Sequence, residues 1–486
     1  MAIWDLLATK PVEHIIAQSD SAQGMRRSLT ALDVTLLGVG VVMGTGIFVL
    51  TGRAAAANAG PAISLSFMVA GLAAALAGLC YSEMASMIPV SGSAYTYAYA
   101  TMGELAAFVI GWDLILEYLV GAATVTVGWS GYFTALCRRL FGITLPLQYT
   151  QAPIAYDDVL QEFVATGAYL NVPASLFALS ITALLVVGTR ESARFNSVIV
   201  GIKLLAVALF LGFGVFYIDT ANYTPFLPPN TGTFGRYGIS GLFQGATMVF
   251  FAYVGFDAIS TVAQETRRPQ RDLPIGMLAS LAFCTVMYVA TSLVLCGVVN
   301  YTQLSVPHPM ALGVAKVGRP WLEAVVDIGA LAGLTSGALV TLMGQPRVIY
   351  AMAQDGLFFK FGTVLHPRFR TPHLTTLLCG GICATVGGLL PIEVLGELTS
   401  IGTLFAFALV SLSVMILRLQ RPDLPRRFRV AGGNYLIPLS ATAISVGLMA
   451  TATAQSLLRL FAWMLCGLVV YALYGRRHSR LRRRNS

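Results

Sequence analysis

An all-α polytopic membrane protein is the fold class this sequence predicts. Its composition, its apolar runs of bilayer length, and two glycine-broken helices at matching places in two halves are what predict it. Of 486 residues, 56% are hydrophobic and 11% charged, under half the charge of an average soluble domain. Apolar runs fall at roughly 33–57, 61–88, 103–136, 172–189, 195–218, 238–264, 274–299, 321–351, 373–390, 394–418, 436–454 and 457–475, about twelve spans in all. Residues 1–28 read as a mildly amphipathic segment with no cleavable signal pattern, and residues 476–486 as a basic tail. Residues 353–361, in a polar link, predict a short amphipathic helix lying at the membrane surface.

Lys and Arg set the orientation. With the N-terminus inside, about 23 of the 31 fall on the cytoplasmic side, which places both termini in the cytoplasm of a multi-pass protein of the cell (inner or plasma) membrane. The net charge of +9 is then a topology signal and an attraction to the anionic headgroups of the lipid bilayer, with nothing that points to nucleic acid. Seven cysteines lie in or beside apolar segments and form no disulfide framework, and the five histidines fall in loops or termini. There is no G-x-S-x-G and no H-E-x-x-H, so hydrolase and metalloprotease chemistry lack their residues. An enzyme, a metal and a cofactor are not expected.

The first run contains Gly38, Gly40, Gly44, Gly46 and Gly52. Each interior glycine costs a helix about 1 kcal/mol relative to alanine, and a backbone unwound in hydrocarbon must line a cavity that satisfies it. Gly40 and Gly44 also spell G-x-x-x-G, which fits close packing of another helix equally well. The sixth run, however, carries a second interruption, Phe250-Phe-Ala-Tyr-Val-Gly-Phe-Asp-Ala258. The first half holds five spans, an odd number, so the second half runs inverted. Residues 29–226 and 227–420 therefore read as two inverted five-helix repeats, followed by two added helices in 421–475. Broken helices at matching places of inverted halves mark a transporter's binding site.

These residues also carry a family resemblance. Gly44-Thr-Gly-Ile-Phe-Val-Leu-Thr-Gly52, the span-six stretch, Glu191-Ser-Ala-Arg-Phe-Asn196, Gln264-Glu-Thr-Arg-Arg-Pro-Gln-Arg-Asp-Leu-Pro-Ile-Gly276 and Arg347-Val-Ile-Tyr-Ala-Met-Ala-Gln-Asp-Gly356 resemble the amino acid, polyamine and organocation transporter superfamily. The likeness is to its cationic amino acid transporter branch and the bacterial members. It implies a LeuT-type core of 5+5 inverted helices plus two more, and amino acid uptake commonly driven by protons.

A free amino acid presents a carboxylate and an ammonium. The N–H groups where span one restarts, at Thr45, Gly46 and Ile47 beside Gly44, suit the carboxylate. The carbonyls ending the half-helices, at Val42, Met43, Phe251, Ala252 and Tyr253, suit the ammonium. The resemblance makes Phe251 an aromatic lid and Met343 a wall of the side-chain pocket, where its bulk would favour smaller substrates. Asp257 and Glu117 are ionisable residues inside spans and functional candidates for that reason, whereas Asp113, nearer the span's end, is expected to meet water. Lys203 sits deep in span five and matches the lysine that proton-coupled members place where sodium-coupled relatives hold a cation. Snorkelling to the interface is its alternative. Protonated, it can bond the carbonyls freed at the break in span one, with the proton as coupling ion. The sequence thus predicts an importer of amino acids, cationic or small neutral, working by alternating access as a proton symporter. An obligate exchanger and a transport-inactive amino acid sensor are the alternatives, and no accessory membrane subunit is named by the sequence.

Overall fold

The computed structural model describes residues 8–13, 15, 27–44, 46–90, 92–157, 162–187, 189–306, 308–369, 371–452 and 454–481. Of the predicted N-terminal segment only residues 8–13, 15, 27 and 28 are among them, and of the basic tail only 476–481; site candidate Thr45 lies outside the described residues. Helix α1 (Ala31–Val42) starts on a capping box, with the Thr30 and Asp33 side chains each accepting from the other's backbone N–H. Past a break it resumes as π-helical and α-helical turns over 46–59, and Gly60, at φ +60°, turns the chain into α2 (Ile63–Met87). Then come α3 (Ser93–Thr101), α4 (Glu104–Phe141) and a small antiparallel hairpin, β1 (Ile154–Asp157) with β2 (Glu162–Ala165). Helices α5 (Val172–Val187), α6 (Thr189–Gly214), α7 (Gly238–Phe250), α8 (Pro269–Val298), α9 (Pro309–Val317) and α10 (Pro320–Gln354) follow. The chain ends in α11 (His373–Leu389), α12 (Ile392–Gln420), α13 (Leu436–Ala450) and α14 (Ala454–Val470). Helices α8, α9 and α10 each begin with a proline, whose missing N–H has no helical partner to lose at that position.

Eight helical stretches among the described residues are long and apolar enough to cross a membrane, and α5, α11 and α13 are apolar but shorter. One of the eight, Ala31–Met87, holds the first two predicted spans, and each remaining predicted span coincides with one of the other apolar helices. Helix α10 runs through the middle, packed along α4, α6 and α1, while α8 lies against α1 and α2. Outward faces keep large apolar side chains exposed, such as Leu176 on α5, Leu205 on α6 and Val286 on α8, as lipid contact requires.

One predicted element is absent. Residues 353–361 form no amphipathic helix: α10 simply continues to Gln354, and Gly356, at φ +79°, turns the chain away before a 3-10 turn at Lys360–Thr363. Tertiary contacts override the local pattern there. Asp355 accepts from Lys10 Nζ (2.6 Å) and from the Tyr95 hydroxyl (2.8 Å), and a Cβ on Gly356 would lie 2.2 Å from the His478 carbonyl oxygen.

Buried ion pairs fasten the helix ends. Arg418 of α12 pairs with Glu83 of α2 through both carboxylate oxygens, and Glu83 also accepts from the Val430 N–H (2.8 Å), so the 421–435 link is held on α2. Arg347 bonds Glu265 at 2.7 and 2.9 Å, and Arg139 joins the end of α4 to Asp327 and Glu323 on α10. Removing one partner of such a pair leaves a lone charge in the interior. Arg418→Ala is therefore expected to destabilise the protein by ~3–5 kcal/mol, seen as a lower Tm in detergent, whereas Arg421→Ala, whose partners Glu13 and Asp423 are exposed, should leave the Tm unchanged. A wild-type Tm for Arg418→Ala would contradict this account of the pair.

Candidate functional site

The two breaks meet each other. Helix α1 ends at Val42: the Gly44 N–H turns to the Val42 carbonyl (2.9 Å), and helix resumes at Gly46. Helix α7 ends at Phe250 and tightens into a 3-10 turn, Phe251–Tyr253, before Val254 runs extended and Gly255 takes φ +98°. Helical structure returns at Ala258–Thr261. A Cβ on Gly46 would lie 2.2 Å from Ala252 Cβ and 2.5 Å from its Cα, and one on Gly255 would lie 2.3 Å from Val41 Cγ2. Glycine at 46 is thus what lets the two unwound segments touch. Ile47 and Tyr253 are fully buried, and Phe251 packs with Leu50 and Val254, so apolar contact also joins the breaks.

Two tyrosines that the sequence reading did not single out serve the freed backbone. The Tyr288 hydroxyl, from α8, lies between the carbonyl oxygens of Val42 and Ala252, the latter at 2.7 Å. It spans both breaks and has one proton to donate. Tyr132 of α4 donates to the Phe48 carbonyl (2.7 Å) in the resumed half of the first helix. The signal in the sequence was a phenol at span depth, which needs a partner when buried.

Lys203, fully buried on α6, does not reach the surface. Its Nζ lies 2.8 Å from the carbonyl oxygens of Val39 and Gly40, 2.9 Å from that of Met43 and 3.0 Å from Ser336 Oγ on α10. The break explains the arrangement. Gly40 loses its helical donor when the Gly44 N–H turns to Val42, and an orphaned carbonyl at a helix C-terminus is a natural seat for a cation. Ser336 Oγ sits 2.7 Å from the same Gly40 oxygen, and Asn196 Nδ2 donates to Leu36 one turn earlier (3.1 Å). Helices α1, α6 and α10 are joined through this one ammonium group.

Asp257 is fully buried where the second broken helix resumes; one oxygen accepts from the Tyr118 hydroxyl and the other has no partner among the described residues. Glu117, next to Tyr118 on α4, is fully buried, and neither of its oxygens has a hydrogen-bond partner among the described residues. Asp113 corrects the sequence expectation. It does not meet water but is 0% exposed, its oxygens likewise without partners among the described residues, because α4 begins at Glu104 and carries position 113 well into the bundle. The three carboxyl groups lie close enough to act on one another electrostatically. Among the described residues, no three His, Cys, Asp or Glu side chains are arranged to hold a metal ion. Met343 is buried two turns beyond Ser336 and lines a narrow crevice with Leu185, Thr371 and Thr376.

Residues 29–478 match the amino acid permease family. The chain is 43% identical over 473 residues, 97% of its length, to 98% of the branched-chain amino acid permease BcaP of Bacillus subtilis. It is 41% identical to the methylthioribose transporter of the same organism, covering 98% of this chain and 99% of that one. Mouse cationic amino acid transporter 4 is 35% identical over 416 residues, 86% of this chain and 63% of the mouse protein. A polytopic helical chain with two broken helices in contact, matched over residues 29–478 by the amino acid permease family model, belongs to the amino acid permease family of membrane transporters.

Proposed function

We propose that this protein imports amino acids, cationic or small neutral, by alternating access and couples each to an inward-moving proton. In this reading its apolar helices form a LeuT-type core of five plus five inverted spans with two more, twelve in all, with both termini cytoplasmic in the cell membrane. The observation that carries it is the contact between the broken helices, where backbone groups released from helical bonding are brought together at mid-span, so that no charged side chain is needed to read a zwitterion. The substrate carboxylate takes the N–H groups at Gly46 and Ile47, and its ammonium takes the Val42 and Ala252 carbonyls in exchange for the Tyr288 hydroxyl. Phe251 closes over it. A substrate side chain directed along α10 meets the bulk of Met343, which selects for size. The relatives are named for substrates that range from branched-chain and cationic amino acids to methylthioribose, which lacks both charged groups.

Lys203 is the coupling residue in this proposal. As an ammonium it holds the Val39, Gly40 and Met43 carbonyls and fixes the end of α1 in the form that binds substrate. When the proton leaves toward the cytoplasm those bonds are lost, the end of α1 relaxes, and substrate is released.

Three measurements test this. In a thermal-shift screen, an amino acid at 100 times its Kd should stabilise wild type by about 2.7 kcal/mol. Gly46→Ala, which drives a Cβ into Ala252, should lose that shift, while Gly201→Ala, in open space, should keep it. Stabilisation by methylthioribose and by no amino acid would assign a different substrate class. In proteoliposomes, Lys203→Ala should lose pH-driven accumulation, and Lys203→Arg should do no better because a guanidinium does not release its proton. Accumulation with the wild-type pH profile in Lys203→Ala would move coupling to Asp257 and Glu117. Proton entry on substrate addition, with no amino acid inside the vesicles, separates symport from obligate exchange, and binding without any counterflow would leave a sensor.

A further inference from the structure

The first turns of α8 and the 421–435 link enclose an open cavity of about 470 Å³, lined by Gln270, Arg271, Ile275, Leu278, Arg427 and Phe428 among others. Among the described residues, no carboxylate neutralises its two guanidinium groups. The acids nearby are committed elsewhere: Asp423 to Arg421, and Glu83 to Arg418 with Arg426 at 3.6 Å. Asp272 is buried and does not line the cavity. No ion pair among the described residues joins Arg271 or Arg427 to a carboxylate. The N-terminal end of a long helix adds its partial positive charge at the same place.

Beside the arginines the lining is apolar, with Pro274, Ile275, Leu278 and Phe428. Ile275, exposed at 43%, begins a stripe on α8 that continues through Ala279, Phe283 and Val286, positions spaced i, i+4, i+8 and i+11 on one helical face. A soluble phosphate would use only the arginines and leave Ile275, Leu278 and Phe428 uncovered. A ligand with an anionic head and a long apolar tail uses both halves, and basic pockets beside transmembrane helices are where anionic headgroups bind. We propose that this cavity holds the headgroup of an anionic phospholipid between Arg271 and Arg427, with an acyl chain lying along the Ile275–Val286 stripe. The lipid then bridges α8 to a link that the Arg418–Glu83 pair fastens to α2, so it braces the helix that supplies Tyr288.

The test uses the full chain in detergent, with dioleoyl phosphatidylglycerol as probe and retained lipid read by native mass spectrometry. Arg271→Gln with Arg427→Gln should weaken retention roughly 30-fold, at about 1 kcal/mol for each arginine. Arg268→Gln with Arg429→Gln, removing the same charge from exposed arginines outside the cavity, should leave it within about twofold. Dioleoyl phosphatidylcholine should not compete, and glycerol phosphate should not displace the lipid. Equal retention by the Arg271/Arg427 variant and wild type, or equal loss in the two double variants, would overturn the site. Displacement by glycerol phosphate at equal concentration would overturn the lipid and leave a soluble anion as the occupant. Both arginines are exposed and make no ion pair, so the lipid-free Tm of the variant should match wild type and exclude misfolding as the cause of loss.

Discussion

A helix stopped in mid-span is the constraint on which the rest of this structure depends. Unwinding α1 at Met43 and Gly44 leaves carbonyls pointing where no water reaches, and an unsatisfied polar group in that setting costs several kcal/mol. The structure meets that cost from three sides. Lys203 and Ser336 take the carbonyls at Val39, Gly40 and Met43, Tyr288 takes Val42, and Tyr132 takes Phe48 beyond the break. Each donor comes from a different helix. The break is therefore also what fixes α4, α6, α8 and α10 relative to one another, and a change at any one donor is felt at the backbone groups of α1.

Small residues make that convergence geometrically feasible. Gly46 admits Ala252, Gly255 admits Val41, and Gly333 of α10 leaves room for Phe48, whose ring would meet a Cβ there at 2.6 Å. Polar donors alone would not reach the broken helix if the backbones stood a side chain further apart. Close approach and hydrogen bonding are thus one requirement, and glycine supplies the first so that lysine, serine and tyrosine can supply the second.

What the sequence revealed of this followed contrast. Gly44, Gly46 and Gly255 interrupt apolar runs, and Lys203 and Asp257 are ionisable in hydrocarbon, so each stood out from its neighbours and all fall at the paired breaks or bond directly to them. Tyr288, Tyr132 and Ser336 did not stand out. A tyrosine or serine is ordinary in a span, and its role depends on which carbonyl a neighbouring helix brings to it, which no local pattern encodes. Asp113 was misplaced for a related reason: the predicted span start at 103 agrees with the start of α4 at Glu104, but Gly402 of α12 lies against the Asp113 carboxyl, a packing contact between distant helices that covers it and that no local pattern encodes. At 353–361 the local pattern was amphipathic, but Lys10, Tyr95 and the chain near His478 hold Asp355 and Gly356 in a turn, and such partners are hundreds of residues away.

The cross-links differ in which helices they join, and that difference bears on motion. Helices α1, α2, α7 and α8 pack on one another, as do α4, α5, α10 and α11. Arg139 with Asp327 lies wholly within the second set and constrains no movement of one set against the other. Tyr118 with Asp257 and Arg347 with Glu265 run between them, both on the Glu265 side of the second break, while Tyr132 with Phe48 crosses on the far side of the first. Separating the sets on one side while keeping the other closed would break the first two bonds and spare the third, or the reverse. In the proposed transport cycle, opening on the Arg347 side would break the Tyr118–Asp257 bond and uncover that carboxyl. A carboxyl group uncovered by the motion itself can exchange its proton in only one of the two conformations, which is the property a coupled transporter requires of its titratable groups.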